Sequence, residues 1–250
     1  MRAPRGVLAA ALLLPATLAC AAPAPDPLRS TQWPAMQHAL LHDEPVVFDA
    51  RVEVLLPPGA EDSLQVPVAA RWPALADVRR VLAFVDFNPI PRVLEYRPHR
   101  AGPFLGFRVR VQQATPIRVA VQTGDGVWHV GGAWVDAAGG GCTLPPAHRA
   151  TLADADLGRV EARRWPLHDG GQRLKLRIEH PNDTGLVAGI PAFFVERLSV
   201  YDEAGAELAV LDTFEPLAEN PVLTLEPAAA GPLVVRGRDN AGNAIAARVD

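Results

Sequence analysis

Leu105-Gly106-Phe107-Arg108-Val109-Arg110-Val111 alternates large apolar side chains with glycine or arginine. Ile117-Arg118-Val119-Ala120-Val121-Gln122 does the same a few residues later. Successive side chains on a strand point to opposite faces, so a period of two marks strands with one face in a core and one in water. Less regular strand candidates surround this pair: Ala50–Leu56, Leu64–Arg71, Arg80–Phe87, Arg92–Tyr96 and Val127–Val135. Turn-forming residues separate them at Pro57-Pro58-Gly59, Asn88-Pro89 and Gly124-Asp125-Gly126. About seven short strands in about 90 residues is the arithmetic of an antiparallel β-sandwich.

The pattern then breaks. Asp136-Ala137-Ala138-Gly139-Gly140-Gly141-Cys142-Thr143-Leu144-Pro145-Pro146 carries three consecutive glycines and a proline pair, which regular structure does not tolerate. A polar continuation follows to Gly158, and the stretch reads as a domain boundary. Strand patterns resume with Leu174, Leu176 and Ile178 between Arg173, Lys175 and Arg177. Phe193–Tyr201 and Glu207–Leu211 flank Glu203-Ala204-Gly205, a hairpin signal. Val222–Leu225, Leu233–Arg236 and Ala244–Val249 complete a second small sandwich. Ahead of the first sandwich, Thr31–His42 predicts a short helix with Trp33, Met36, Leu40 and Leu41 on one side. The tryptophans at 72, 128, 134 and 165 lie in strand-like surroundings and are expected in the core.

Composition bounds the function. The 250 residues are 49% hydrophobic and 21% charged, with a net charge of −4. That excludes a disordered chain, and one lysine, Lys175, argues against a basic nucleic-acid surface. Two cysteines, Cys20 and Cys142, cannot build a disulfide framework. Residues 1–21 read as a cleaved secretory leader: Arg2 and Arg5 precede an apolar run, Val7–Leu14, and a small-x-small site at Ala19-Cys20-Ala21. The apolar run falls short of the roughly 20 residues that span a bilayer. Lipoprotein attachment through Cys20 is disfavoured, because Thr17 stands where a lipobox has a branched apolar residue. Cleavage removes Cys20 and leaves Cys142 as the one cysteine of an exported chain.

Cys142 therefore carries the sharpest chemical signal. Ala137 to Gly141 gives it a tether of about 16–18 Å when extended, at about 3.3–3.6 Å per residue. Such an arm can bring a thiol into another protein's active site. No neighbour in sequence other than His148 and Arg149 would lower its pKa. Other candidates are weaker. His38 and His42 have a helical zinc spacing without a third ligand, and Asp154 and Asp156 sit in the linker. Asn182-Asp183-Thr184 matches a glycosylation sequon. The serines at 30, 63 and 199 lie outside any nucleophile elbow, and no phosphate-binding or dinucleotide-binding glycine motif occurs.

The chain resembles the SoxYZ sulfur-carrier family. Val54–Cys142 is similar to SoxY through Leu55-Leu56-Pro57, Val66-Pro67-Val68, Phe87-Asn88-Pro89-Ile90-Pro91 and the terminal Gly139-Gly140-Gly141-Cys142. Arg177–Asp250 is similar to SoxZ through Ile178-Glu179-His180-Pro181, Thr184-Gly185, Asn220-Pro221 and Asp239-Asn240-Ala241-Gly242. The order resembles fused carriers encoded beside quinoprotein (PQQ-dependent) dehydrogenases. The resemblance implies two immunoglobulin-like antiparallel β-sandwich domains joined by a Gly-rich linker. The expected division is a leader (1–21), a lead with a short helix (22–48), a SoxY-like sandwich (49–142), a linker (143–158) and a SoxZ-like sandwich (159–250). It implies a periplasmic carrier, not an enzyme, with no cofactor, no metal and no membrane span. Cys142 would hold sulfur intermediates covalently on the flexible arm Gly139, Gly140 and Gly141, the two sandwiches pairing within the chain. Periplasmic sulfur-oxidising enzymes, as in thiosulfate oxidation, would be its partners. In an alternative reading the chain is an accessory or binding module for a quinoprotein dehydrogenase. The family arm continues with glycines after its cysteine and ends freely. Here Thr143 and Leu144 follow, and the arm runs on into the second half.

Overall fold

The computed structural model describes residues 25–145, 154–168 and 170–250. The expected leader, Cys20, His148 and Arg149 lie outside the described residues. One helix, α1 (Trp33–Leu41), precedes nine strands of the first half: β1 (Val46–Phe48), β2 (Glu53–Leu55), β3 (Gly59–Ala60), β4 (Val66–Arg71), β5 (Val78–Val85), β6 (Arg92–Arg97), β7 (Ala101–Val109), β8 (Thr115–Thr123) and β9 (Trp128–Ala137). The second half adds β10 (Val160–Pro166), β11 (Gln172–Ile178), β12 (Val195–Asp202), β13 (Glu207–Thr213), β14 (Val222–Pro227), β15 (Leu233–Asp239) and β16 (Ala244–Val249). The expected all-β, antiparallel sandwich architecture is what forms.

The two halves share their sheets. One sheet runs β1-β9-β8-β5-β6-β13-β12-β15-β16, with β3 beside β9, and the other runs β10-β11-β14-β7-β4-β2. β6 of the first half pairs with β13 of the second, setting Tyr96 opposite Leu211. β7 pairs with β14, setting Leu105 opposite Leu225. The short β1 and β3 lie parallel to β9; all other pairs are antiparallel. The inward residues of both sheets form one continuous core, from Val66, Val68 and Phe107 to Leu176, Leu211 and Val235. Sheet continuity thus removes four strand edges that two separate sandwiches would leave to water.

The alternating stretches behave differently. On β7, Leu105, Phe107 and Val109 are buried while Arg108 is exposed. β8 is buried on both faces, because α1 lies over the face opposite the main core. Trp33, Met36, Leu40 and Leu41 pack there on Leu82, Phe84, Ala120, Trp128 and Val130. Arg118, read as solvent-facing, is instead 1% exposed and ion-paired to Asp86 and Asp26. Trp72 and Trp128 are core residues as expected, but Trp134 and Trp165 are each 45% exposed. Trp134 rests on the N-terminal lead, donating its Nε1–H to the Leu28 carbonyl at 3.0 Å. Trp165 stands on the edge strand β10, whose exposed side also carries Glu161 and Arg163.

Candidate functional site

Glycine geometry fixes the path of the chain as it leaves β9. Gly139 and Gly140 adopt φ of +101° and +84°, a region that L side chains rarely enter. Gly141 has an ordinary φ, but a Cβ there would lie 2.2 Å from the Ser63 carbonyl oxygen and 2.6 Å from that of Val111. Glycine is needed at Gly141 for close backbone approach. The stretch expected to be a disordered tether is hydrogen-bonded into the fold. Gly140 N–H donates to the Gln112 carbonyl (2.9 Å) and Gly141 N–H to that of Val111 (3.0 Å). The Ser63 hydroxyl donates to the Gly139 carbonyl at 3.0 Å. Thr143 and Leu144 N–H both return to the Gly140 carbonyl, closing a turn around the cysteine.

Cys142 sits inside that turn with 1% of its surface exposed. Its N–H donates to Gln112 Oε1 at 3.3 Å, and its carbonyl accepts from the Thr184 hydroxyl at 2.8 Å. Its Sγ lies 3.8 Å from the Arg110 carbonyl oxygen, the acceptor for the S–H. Burial pushes the thiol pKa up to about 11, and the field of Arg110 lowers it only in part. The docked thiol is therefore protonated at neutral pH and is a poor nucleophile.

Arg110 shares this enclosure. The alternation that leaves Arg108 exposed would turn Arg110 outward too. β7 ends at Val109, however, and Arg110 N–H donates instead to the Pro216 carbonyl at 2.8 Å. Its side chain is 1% exposed. Nη1 donates to the Leu144 carbonyl (3.3 Å) and Nη2 to the Pro181 carbonyl (3.2 Å), while Nε has no partner among the described residues. Burial pulls its pKa down, opposed by the fields of Glu219, Cys142 and Asp62. Asn88 braces the same backbone, donating to the Arg110 carbonyl at 2.8 Å and accepting from Gln112 N–H at 2.9 Å. The Asn-Pro turn after β5 thereby holds the floor on which the arm lies.

The second half supplies the opposite wall. His180 is fully buried, its ring centroid 4.4 Å from that of Phe193. Its Nδ1 accepts from Asn182 N–H at 3.1 Å, and Nε2 lies 3.5 Å from Asp239 Oδ2. Burial lowers its pKa despite Asp239, so it is a neutral structural group at pH 7. Asn182 is also fully buried, donating to the Leu217 carbonyl (3.2 Å) and accepting from Val195 N–H (3.1 Å). The sequon at Asn182-Asp183-Thr184 is thus a packing element that presents Pro181 and Thr184 to the arm, with no exposed amide for a glycan. His38 bonds Asp43 at 2.6 Å on the exposed face of α1, far in sequence from this site. Asp156 pairs with Arg159 at 3.5 Å.

Of the expected site residues, Cys142 and Gly139, Gly140 and Gly141 stand together here. Arg110, Gln112, Asn88, Ser63 and Thr184 join them. Asn88 and Thr184 were visible within the motifs quoted above; Gln112 and Ser63 carried no signal.

Residues 37–142 match the family described as "Sulfur oxidation protein SoxY". This stretch of the chain is similar to SoxY. Its last matched residue is Cys142, and everything from Thr143 onward lies beyond the match. The structure of the sulfur carrier protein SoxY from Chlorobium limicola f thiosulfatophilum aligns with 42% of this chain and 90% of its own length, at 21% identity and a TM-score of 0.38. No curated protein matches the chain. The walls of the thiol enclosure accordingly come from two sources: the matched residues give Arg110, Gln112 and Ser63, and the following half gives Pro181 and Thr184.

Proposed function

We propose that the chain is a periplasmic carrier that holds a sulfur species covalently on Cys142 and presents it to partner enzymes. In this reading residues 1–21 export the chain, and residues 159–250 act as a fused SoxZ-like unit. The supporting observation is the place of the thiol. It is the final residue of the SoxY-like match, on a three-glycine segment held in the fold by hydrogen bonds from neutral groups. Each such bond contributes only about 0.5–1.5 kcal/mol net, so the segment can leave its seat without disturbing the sheets. The seated thiol is out of reach, and transfer requires that the arm come out. Once solvated, the thiol regains an ordinary pKa and can attack a sulfur electrophile as the thiolate, the leaving group departing with the displaced electron pair. Among the described residues no imidazole or carboxylate hydrogen-bonds the thiol, which suits a carrier whose chemistry is supplied by partners better than an enzyme nucleophile.

The test is the mass of the protein isolated from its source. A sulfur-containing mass increment confined to Cys142 and removed by a reductant is the expected result. A Cys142 that stays unmodified in its source and resists every small thiol reagent in the native fold overturns the reading.

A further inference from the structure

β10 leaves one edge of the fold open. It ends the six-stranded sheet and pairs on one side only, with β11. Along antiparallel strands, alternate residues bond alternate neighbours. Glu179 N–H donates to the Arg159 carbonyl and Leu167 N–H to that of Gly171, while Ile178 N–H turns to Pro221 beside β14. The odd-numbered residues of β10 therefore bond β11. Val160, Ala162 and Arg164 aim their backbone groups outward, with no backbone partner among the described residues. β16 of the other sheet comes near at Gly158, through Ala244 and Ile245, without bonding β10. The outer face of this edge exposes groups that lack partners. Trp165 is 45% exposed, Arg163 is exposed without an ion pair among the described residues, and Glu161 has only Arg177 at 3.7 Å. The six-residue edge at β16 differs. Its Arg248 is already paired with Glu203 and Asp250, and its other exposed residues are Ala244 and Ala246. An edge with open backbone groups is a template for another strand.

We propose that β10 is an interface between two copies of this chain, pairing antiparallel with its own counterpart about a two-fold axis at Ala162. The residues of the strand select that occupant and that register. With Ala162 opposite Ala162, Val160 faces Arg164, and each N–H of these residues finds a carbonyl of the other copy. On the outer face Glu161 then stands opposite Arg163 and Trp165 opposite Arg159, each pair occurring twice by symmetry. Moving the axis by one residue sets Arg163 against Arg163, or Glu161 against Glu161, and like charges directly opposite are destabilising. On the inner side Arg164 is held in its own chain by Gln172 Oε1 at 3.1 Å and meets the apolar Val160 of the other copy. One contact thus answers the open edge, the unpaired cation and the exposed tryptophan, and it joins two six-stranded sheets into one. A joint of one strand per copy falls in the small, transient class, under about 1,200 Å², so it dissociates on dilution. The inference is independent of what Cys142 carries.

Sedimentation velocity of the whole chain over about 5–500 µM reads the association directly, with a reductant present to exclude a disulfide through Cys142. The dimer fraction of the wild type should rise with concentration. Glu161→Arg and Arg163→Glu should each weaken association by on the order of tenfold, because each sets like charges opposite one another twice. The double variant carrying both exchanges should recover the wild-type association. Both positions are exposed, so these variants keep the fold, which circular dichroism checks. Ala162→Pro removes an N–H that β11 does not use and should leave a folded monomer. A wild type that stays monomeric up to about 500 µM overturns the proposal. If that monomer retains polyglutamate on the groove of Arg163, Trp165 and Lys175, the edge belongs to a foreign acidic strand instead. A dimer that none of these changes weakens also overturns it, because the copies then meet elsewhere. A folded double variant no better than the single ones overturns the register. Each of these failures leaves the carrier reading of Cys142 untouched.

Discussion

The Cys142 thiol points at the carbonyl oxygen of Arg110 across 3.8 Å, so the residue that bonds the thiol through its backbone also reaches round the arm with its guanidinium. A single residue just past the end of β7 therefore contacts the arm at two points, and the state of the thiol is bound to the packing of the strand end.

The first consequence is a steep pH dependence of reactivity. The exposed thiol ionises near 9.0, and the seated one is pushed up to about 11 by burial. Native protein should react with iodoacetamide slowly at pH 7 and roughly tenfold faster for each pH unit up to about 11, while the unfolded chain levels off above about pH 9. Because the folded pKa is raised, the seat's contribution to stability is fully present below 9.0 and is lost as pH rises through about 11. A native reactivity profile that turns over near 9 would show that the thiol is already exposed.

Gly141→Ala separates the seat from the sheets. Its Cβ would lie 2.2 Å from the Ser63 carbonyl oxygen, backbone that cannot yield cheaply. The arm should be displaced, with Cys142 labelling at pH 7 at least tenfold faster and the melting temperature little changed, since Gly141 lies outside both sheets. Gly140→Ala should act in the same direction through its φ of +84°, by about 1 kcal/mol or more. Unaltered labelling in both variants would mean that the seat does not depend on these glycines.

How much of this was readable in the sequence depends on how local each feature is. Leu105, Phe107 and Val109 announce their strand because the pleat repeats every two residues whatever surrounds it. The place of Cys142 was readable from the glycines and motifs around it. Arg110 was not, because the alternation that marks Arg108 as exposed holds only while the strand lasts, and nothing local says that it ends at Val109. β8 was read as half-buried because the helix that covers its second face lies some eighty residues earlier. β10 gave no strand signal, since its inward positions are Val160, Ala162 and Arg164, too weakly apolar to show a period. The pairings of β6 with β13 and β7 with β14 join segments more than a hundred residues apart, a relation no window of sequence contains.

Arg118 should prove one of the costliest positions to change in the first half. Its guanidinium bonds Asp86 and Asp26, lies 4.7 Å from the Trp33 ring centroid, and so ties β8 to the lead and to α1. Arg118→Met leaves the fully buried Asp86 side chain without its cation, a change of about 3–5 kcal/mol in sites of this kind. Burial raises the Asp26 pKa, but Arg118 and the N–H groups of Ser30 and Leu28 outweigh it and hold the carboxyl below 3.8. Its stabilising effect is therefore present above 3.8 and lost as pH falls through its lowered value. Urea unfolding should show a large wild-type-to-variant gap at pH 7 that narrows on acidification below about 3.8. Hydrogen exchange should show the loss centred on residues 26–41.

The shared sheets make a stronger demand on the two halves. β6 and β13 meet along Leu94–Thr213 through Arg97–Val210, reinforced by the Arg97–Asp212 ion pair. β7 and β14 bring Leu105 against Leu225 in the same core. Most of this joint is backbone ladder and apolar contact, neither of which salt screens. Residues 25–145 and 154–250 produced as two separate chains in one cell should therefore copurify one to one and stay together in 1 M NaCl. Each alone would expose an unpaired edge at β6 and β7 or at β13 and β14, together with half a core, and should aggregate. Leu94→Asp places a charge in the apolar joint at a fully buried position and should abolish copurification, while Arg71→Gln, an exposed residue paired with Glu53 on β2, should not. Independent elution of two soluble monomers would mean that the halves are self-sufficient sandwiches and that the continuous sheets contribute little to holding them together.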